Sequence, residues 1–224
     1  MRKGTPSSPH FLQSQNINQR VRTNCTQAKS RTRRPAVAHR QRGKDSGGTL
    51  PFNAPETWHE PAGESARIRF HVEPAGEGYI HPVSVDDVRE RVAQLPQTFV
   101  KNLEVVQFSR MTKKRALFPC YGMQWGQAVY LYPIESSLEE VYVRPPTPQQ
   151  LIDARMYGGE WIQDGRYWTL QWSEETIRDF YLNSVLIHEI GHIHDDKNTR
   201  FQDRERYADW FAIEYGYRAS RRKR

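Results

Sequence analysis

Two histidines four residues apart, with a glutamate beside the first, constrain this 224-residue chain more than any other feature. His188-Glu189-Ile190-Gly191-His192 follows the helix-compatible run Asn183-Ser184-Val185-Leu186-Ile187. On a helix, residues four apart are offset by about 40° and rise about 6 Å, so His188 and His192 project from one face. That pair can chelate a single zinc ion. Glu189, next to the first ligand, is placed to reach a water on the metal rather than to replace a histidine, which is the position of a general base.

A zinc centre needs a third protein ligand and an open position. A histidine six residues after His192 would supply one, but position 198 is Asn. His194 lies about 200° around the helix from His192, on the wrong face. Glu205 is the better candidate. The first helix should stop near Asp195–Asn198 and a second begin at Thr199, whose spacing to Gln202 suits a capping box. In an antiparallel helix hairpin, residues equally far from the loop face each other, which brings Glu205 opposite His192. Asp209, one turn after Glu205, can accept a hydrogen bond from the outer nitrogen of a ligating histidine. Ala208 and Ala212 are small enough for close packing of the two helices.

Val185 to Ile193, followed by Glu205-Arg206-Tyr207-Ala208-Asp209-Trp210-Phe211-Ala212, resembles the extended signature of the zincin metallopeptidases. Within them it is similar to the small gluzincins, particularly the ImmA/IrrE-like family. The membrane-embedded Ste24/HtpX type shares the Glu-x-x-Ala-Asp sequel, yet no run here approaches the roughly 18 apolar residues of a membrane span. The resemblance implies an α+β fold: a small, mostly antiparallel sheet packed on the active-site helix and the following glutamate-bearing helix. It also implies an edge strand near Tyr121–Trp125 that receives extended substrate by strand addition.

Charge is unevenly spread. Residues 1–50 carry 11 Lys/Arg and one acid, and the whole chain is +7, which leaves −3 for residues 51–224. Polar and without periodicity, residues 1–50 are expected to be a disordered basic tail, able at most to make weak nucleic-acid contacts. Residues 51–65 read as a linker, 66–217 as the metallopeptidase domain, and 218–224 as a second basic tail.

Within the domain, Ala66–Val72 and Leu103–Phe108 read as strands, and Ser84 as the cap of a helix running to Ala93. Lys113-Lys114-Arg115 reads as a solvated basic loop. Residues 135–172 form an insertion with a short helix over Gln149–Met156 and an aromatic hairpin turning at Asp164-Gly165. Ser173 caps the active-site helix, and Gly216 should end the last one. Cys25 and Cys120, 95 residues apart, suggest neither a disulfide framework nor a thiolate metal site, which fits a reducing cytoplasm.

These features lead to a zinc-dependent peptidase acting on a protein or peptide, in which His188, His192 and Glu205 hold Zn²⁺ and Glu189 is the base. The alternative is a catalytically inactive zinc-binding regulatory or nucleic-acid-tethered protein of the same fold. For the second electrophile usual in this chemistry, Tyr181, Tyr207, Tyr215, His71 and His81 are all candidates, and the sequence does not choose among them.

Overall fold

A computed structural model of the protein describes residues 54–60, 67–117 and 120–222. The basic tail expected over residues 1–50 lies outside the described residues. The central sheet has four strands, β1 (Arg69–Val72), β3 (Val105–Phe108), β4 (Gly122–Trp125) and β5 (Ala128–Leu131), in the order β1-β3-β5-β4. Two short antiparallel sheets complete the strand inventory of the described residues. One pairs β2 (Tyr79–Ile80) with β6 (Ile134–Glu135); the other orders β7 (Glu139–Tyr142), β9 (Tyr167–Gln171) and β8 (Glu160–Asp164) as β7-β9-β8.

The α+β class stands, but the main sheet is not mostly antiparallel. β1 pairs parallel with β3 and β3 parallel with β5; only the edge strand β4 runs antiparallel. The cause lies between β1 and β3, where α1 (Val85–Ala93) and α2 (Gln97–Val100) make the crossover that parallel strands require. Ser84 caps α1 as expected, in a capping box closed by Asp87.

Both faces of the central strands are covered, as parallel sheets demand. Val106, Phe108, Val129 and Leu131 point into the main core with the helices, while Val105, Ala128, Tyr130 and Tyr132 form a second cluster on the other face. That second face is closed by residues 54–60, which the sequence assigns to a linker, and by α3 (Lys113–Leu117), where a solvated basic loop is expected. Arg115 is buried there, 3.2 Å from Glu56, with its guanidinium over the Tyr132 ring. The Tyr130 hydroxyl donates to the Thr57 carbonyl, and His59 bonds Gln107. A basic triplet in sequence thus conceals one arginine that faces inward.

The insertion is a helix, α4 (Pro148–Tyr157), and the sheet β7-β9-β8. The aromatic hairpin is present, but its two-residue turn is Gly165-Arg166, since Asp164 pairs with Tyr167. Gly165 takes the positive φ of 55° that the first turn position requires.

The chain then enters a continuous helix: α5 (Glu174–Phe180), a π-helical turn over Tyr181–Val185, and α6 (Leu186–His194). Ser173 caps it in a box with Thr176. After a loop, α7 (Phe201–Phe211) leads through a second π segment, Ala212–Arg218, into α8 (Ala219–Arg222). Two expectations fail here. Thr199 does not cap α7; Arg200 holds the cap position without a side-chain bond, and the loop is built instead by Asp195, whose carboxylate accepts from the amides of Lys197 and Asn198. Nor does Gly216 end the last helix. It sits inside the second π segment because that segment crosses the first there. The expected basic tail at 218 is in part helical as well, and Arg221 pairs with Asp179 at 2.6 Å.

In an open helix Gly→Ala stabilises by about 1 kcal/mol. At Gly216 a Cβ would lie 1.9 Å from the Asn183 carbonyl oxygen. Gly216→Ala is therefore expected to destabilise by about 3 kcal/mol, seen as a lower urea midpoint. An unchanged or raised midpoint would mean that the two segments do not cross at this residue.

Candidate metal centre

Neither apolar periodicity nor capping explains how close α6 and α7 come; small residues do. A Cβ on Gly191 would meet the Ala208 Cα and the Phe211 Cβ, both at 3.1 Å. With the helices this close, side chains one turn away on either helix are forced into contact. His188 and His192 on α6 meet Glu205 and Asp209 on α7.

The two histidine Nε2 atoms are 3.1 Å apart. Glu205 Oε2 is 3.7 Å from His188 Nε2, and Oε1 is 3.4 Å from His192 Nε2. A tetrahedral ion with bonds of about 2.0–2.1 Å holds its ligand atoms about 3.3–3.4 Å apart. The three donors already stand at the edges of such a tetrahedron, and they are close enough together to hold a metal ion. The donor set, two imidazoles and one carboxylate, leaves a fourth position for a reactant.

Asp209 completes the arrangement from behind. Its Oδ1 is 3.1 Å from His188 Nδ1, and the residue is 1% exposed. A proton on Nδ1 shared with this carboxylate leaves Nε2 free to face the metal.

Glu189 is buried between α6 and β4. Gly122 permits this: a Cβ there would lie 2.7 Å from Val185 Cγ1 and 3.0 Å from Glu189 Cγ and Oε1. The Tyr132 amide donates to the Tyr121 carbonyl, which fixes the ladder so that Gly122 and Gln124 turn their backbone groups away from β5. The outward amide of Gln124 faces the Glu189 carboxylate and favours its charged form. β4 is thus the edge strand expected near Tyr121–Trp125, seated against the helix that carries the general-base candidate.

Electrostatics follow from burial. Desolvation pushes Glu189 up to about 7, with His188 and the Gln124 amide opposing and Glu205 reinforcing it. Asp209 is likewise raised by burial to about 7. For His188 burial favours the neutral ring, but the Asp209 hydrogen bond and the charges of Glu189, Asp209 and Glu205 outweigh it and hold the group at about 9. His192 is driven down to about 2 by burial, by His188 and by Arg204. A cation in the middle is the natural replacement for the proton on His188.

The three tyrosines go elsewhere. Tyr181 donates its hydroxyl to the Tyr132 carbonyl and is buried in the core. Tyr207, two residues from Glu205 and so on another side of α7, bonds His194 Nδ1. Tyr215 packs its ring on Phe99 and Phe211. His71 packs its ring at a tilt against His59, and His81 bonds the Glu73 carbonyl. A cavity of about 330 Å³, lined in part by Phe99, Lys101, His194, Asp195 and Tyr207, opens on the His194 side of α6 and touches none of the three ligands. Chemistry rather than volume marks the centre. The sequence reading missed Gly122, Gln124 and Arg204: the first two act through main-chain placement, and Arg204 carried only its adjacency to Glu205 as a signal.

Between pH 6.5 and 9 the folded chain holds a proton on His188 that the unfolded chain releases. Stability of the metal-free fold should therefore fall as pH rises through that window. Glu189 and Asp209 act in the same direction up to about 7, and the opposing effect of His192 ends at its ordinary value of 6.5. Because metal displaces the same proton, its affinity should rise by about tenfold per pH unit from 7 to 9. Thermal melts with and without a divalent metal across this range test both; a metal-free melting temperature that climbs with pH would contradict the assignment.

No family model, curated protein or solved structure matches this chain.

Proposed function

We propose that the protein is a zinc-dependent metallopeptidase. The observation that carries this reading is the near-tetrahedral spacing of His188 Nε2, His192 Nε2 and the Glu205 carboxylate beside a buried Glu189. Imidazole and carboxylate donors with a fourth position open are the donor set of catalytic zinc. A zinc ion held there would supply Lewis acidity toward a carbonyl and lower a water's pKa from about 15.7 toward about 7.

The chain's own residues supply the rest. Glu189, with a pKa pushed to about 7, takes a proton from the attacking water and returns it to the amine that leaves as the C–N bond breaks. His188 is held in register by Asp209, and the outward groups of β4 can receive an extended peptide by strand addition. Together with the resemblance to the ImmA/IrrE-like gluzincins, this geometry supports a zincin-like reading, on which the substrate is a protein or peptide. No helix among the described residues is long and apolar enough to cross a membrane. Two cysteines 95 residues apart in sequence fit a cytoplasmic setting, and the basic N-terminal residues would add weak nucleic-acid contact.

Zinc analysis of the purified protein should give one ion per chain. Glu205→Ala should lower zinc affinity by about 100-fold or more, and Glu189→Gln should keep the zinc while peptide hydrolysis falls by about 100-fold or more. Zinc retained at full affinity in Glu205→Ala would remove that residue from the ligand set. Zinc binding with no hydrolysis in the wild type would favour the inactive, zinc-binding regulatory alternative.

A further inference from the structure

Beside the metal centre lies a cation that no described residue neutralises. Arg204 directly precedes Glu205 on α7 and is partly buried. Its Nη2 reaches the His192 carbonyl oxygen at 3.3 Å and the Gln124 side-chain oxygen at 3.4 Å. Both acceptors are neutral, and the guanidinium makes no ion pair with a described residue. Other partly or fully buried arginines are treated differently. Arg115 faces Glu56 and Arg221 faces Asp179. Arg91 also lacks a carboxylate, but it is enclosed in the core and bonded to Asn183 and to the Tyr215 carbonyl.

The two anchors of Arg204 say where the charge is held. His192 is a proposed ligand at the end of α6, and Gln124 belongs to the edge strand whose amide meets Glu189. The guanidinium therefore spans from the metal-bearing helix to the strand along which a peptide would lie. It is close enough to help suppress the charged form of His192. Nη2 holds both anchors, while Nη1 and Nε bond no described residue and can each donate singly to a carboxylate. The charge is partly desolvated without a counterion, a state that an incoming anion relieves.

We propose that Arg204 binds a carboxylate of the peptide substrate, either an acidic side chain near the scissile bond or a free C-terminus. This assignment rests on the metallopeptidase reading and names the substrate class that the centre would select. Arg204 is a specificity determinant in this scheme, not a participant in proton transfer.

The test uses the full-length zinc-loaded protein and short peptides carrying a zinc-binding hydroxamate at one end or the other. Three forms are compared by calorimetry: one with Glu and a blocked terminus, one with Gln and a blocked terminus, and one with Gln and a free C-terminal carboxylate. The wild type should bind at least one acidic form about tenfold or more tightly than the neutral form. Which acidic form wins identifies the source of the carboxylate. In Arg204→Met that ratio should collapse to about one with zinc stoichiometry retained, and Arg204→Lys should keep part of it. Equal binding of all three forms by the wild type, or a ratio that survives in Arg204→Met, would overturn the assignment and leave Arg204 as a cap on the end of α6. Failure of any hydroxamate to bind the metal-loaded wild type would instead overturn the metallopeptidase reading, and this assignment with it.

Discussion

The near-contact of α6 and α7 at Gly191 and Ala208 is the constraint on which the rest of the centre depends. Neither residue has a side chain that can hold the helices apart, and a single added methyl would stand 3.1 Å from the opposite backbone. Ligand atoms separated by 3.1 to 3.7 Å cannot be brought together by flexible side chains alone without a large loss of rotamer freedom. Rigid helices at fixed distance meet that cost once, in folding. The two π segments serve the same end. They cross at Gly216 and Asn183, just before α6 and just after α7, so the helix pair is clamped at the end away from its connecting loop. π turns interrupt a helix at an energetic cost and commonly accompany functional sites.

Packing of this kind gathers charge that the chain would otherwise keep in water. Glu189 and Asp209 are buried, and His188, His192 and Glu205 are nearly so, at 13%, 10% and 12% side-chain exposure. Burial drives His192 down to about 2, with His188 and Arg204 adding to it, while the Asp209, Glu189 and Glu205 carboxylates outweigh burial at His188 and hold it at about 9. A group so arranged stores destabilisation in the metal-free protein and recovers it when a cation enters. A metal bound there would therefore be linked to folding.

Much of the centre was legible because helical geometry is local. The four-residue spacing of His188 and His192, and of Glu205 and Asp209, fixes a common face without any knowledge of the tertiary fold. The pairing of the two faces followed from a short connection. What the sequence did not show depends on contacts between distant segments. Nothing local distinguishes Arg115, turned inward on Glu56, from Lys113 two residues before it. Residues 54–60 fall in a stretch, 51–65, that reads as a linker from its Pro, Gly and Glu content, yet hydrogen bonds to Tyr130 and Gln107 hold them on the sheet. The parallel pairing of β1, β3 and β5 was likewise invisible, because the strands are only four residues long and their partners lie far apart in sequence. Tyr181, Tyr207 and Tyr215 shared the right chemistry with an electrophile but not the right face.

The edge strand adds a consequence for how the centre would work on a peptide. β4 presents few outward backbone groups beside α6, and the Gln124 amide faces Glu189. A peptide that added to β4 at this register would need that same amide for its own carbonyl. Its arrival would draw away an amide that favours the charged form of Glu189 and, by covering the groove, would deepen the desolvation that already raises it. Both changes make the carboxylate a stronger base at the moment a substrate is seated. On the proposed function, the close approach permitted by Gly122 would therefore tie the basicity of Glu189 to occupancy of the strand.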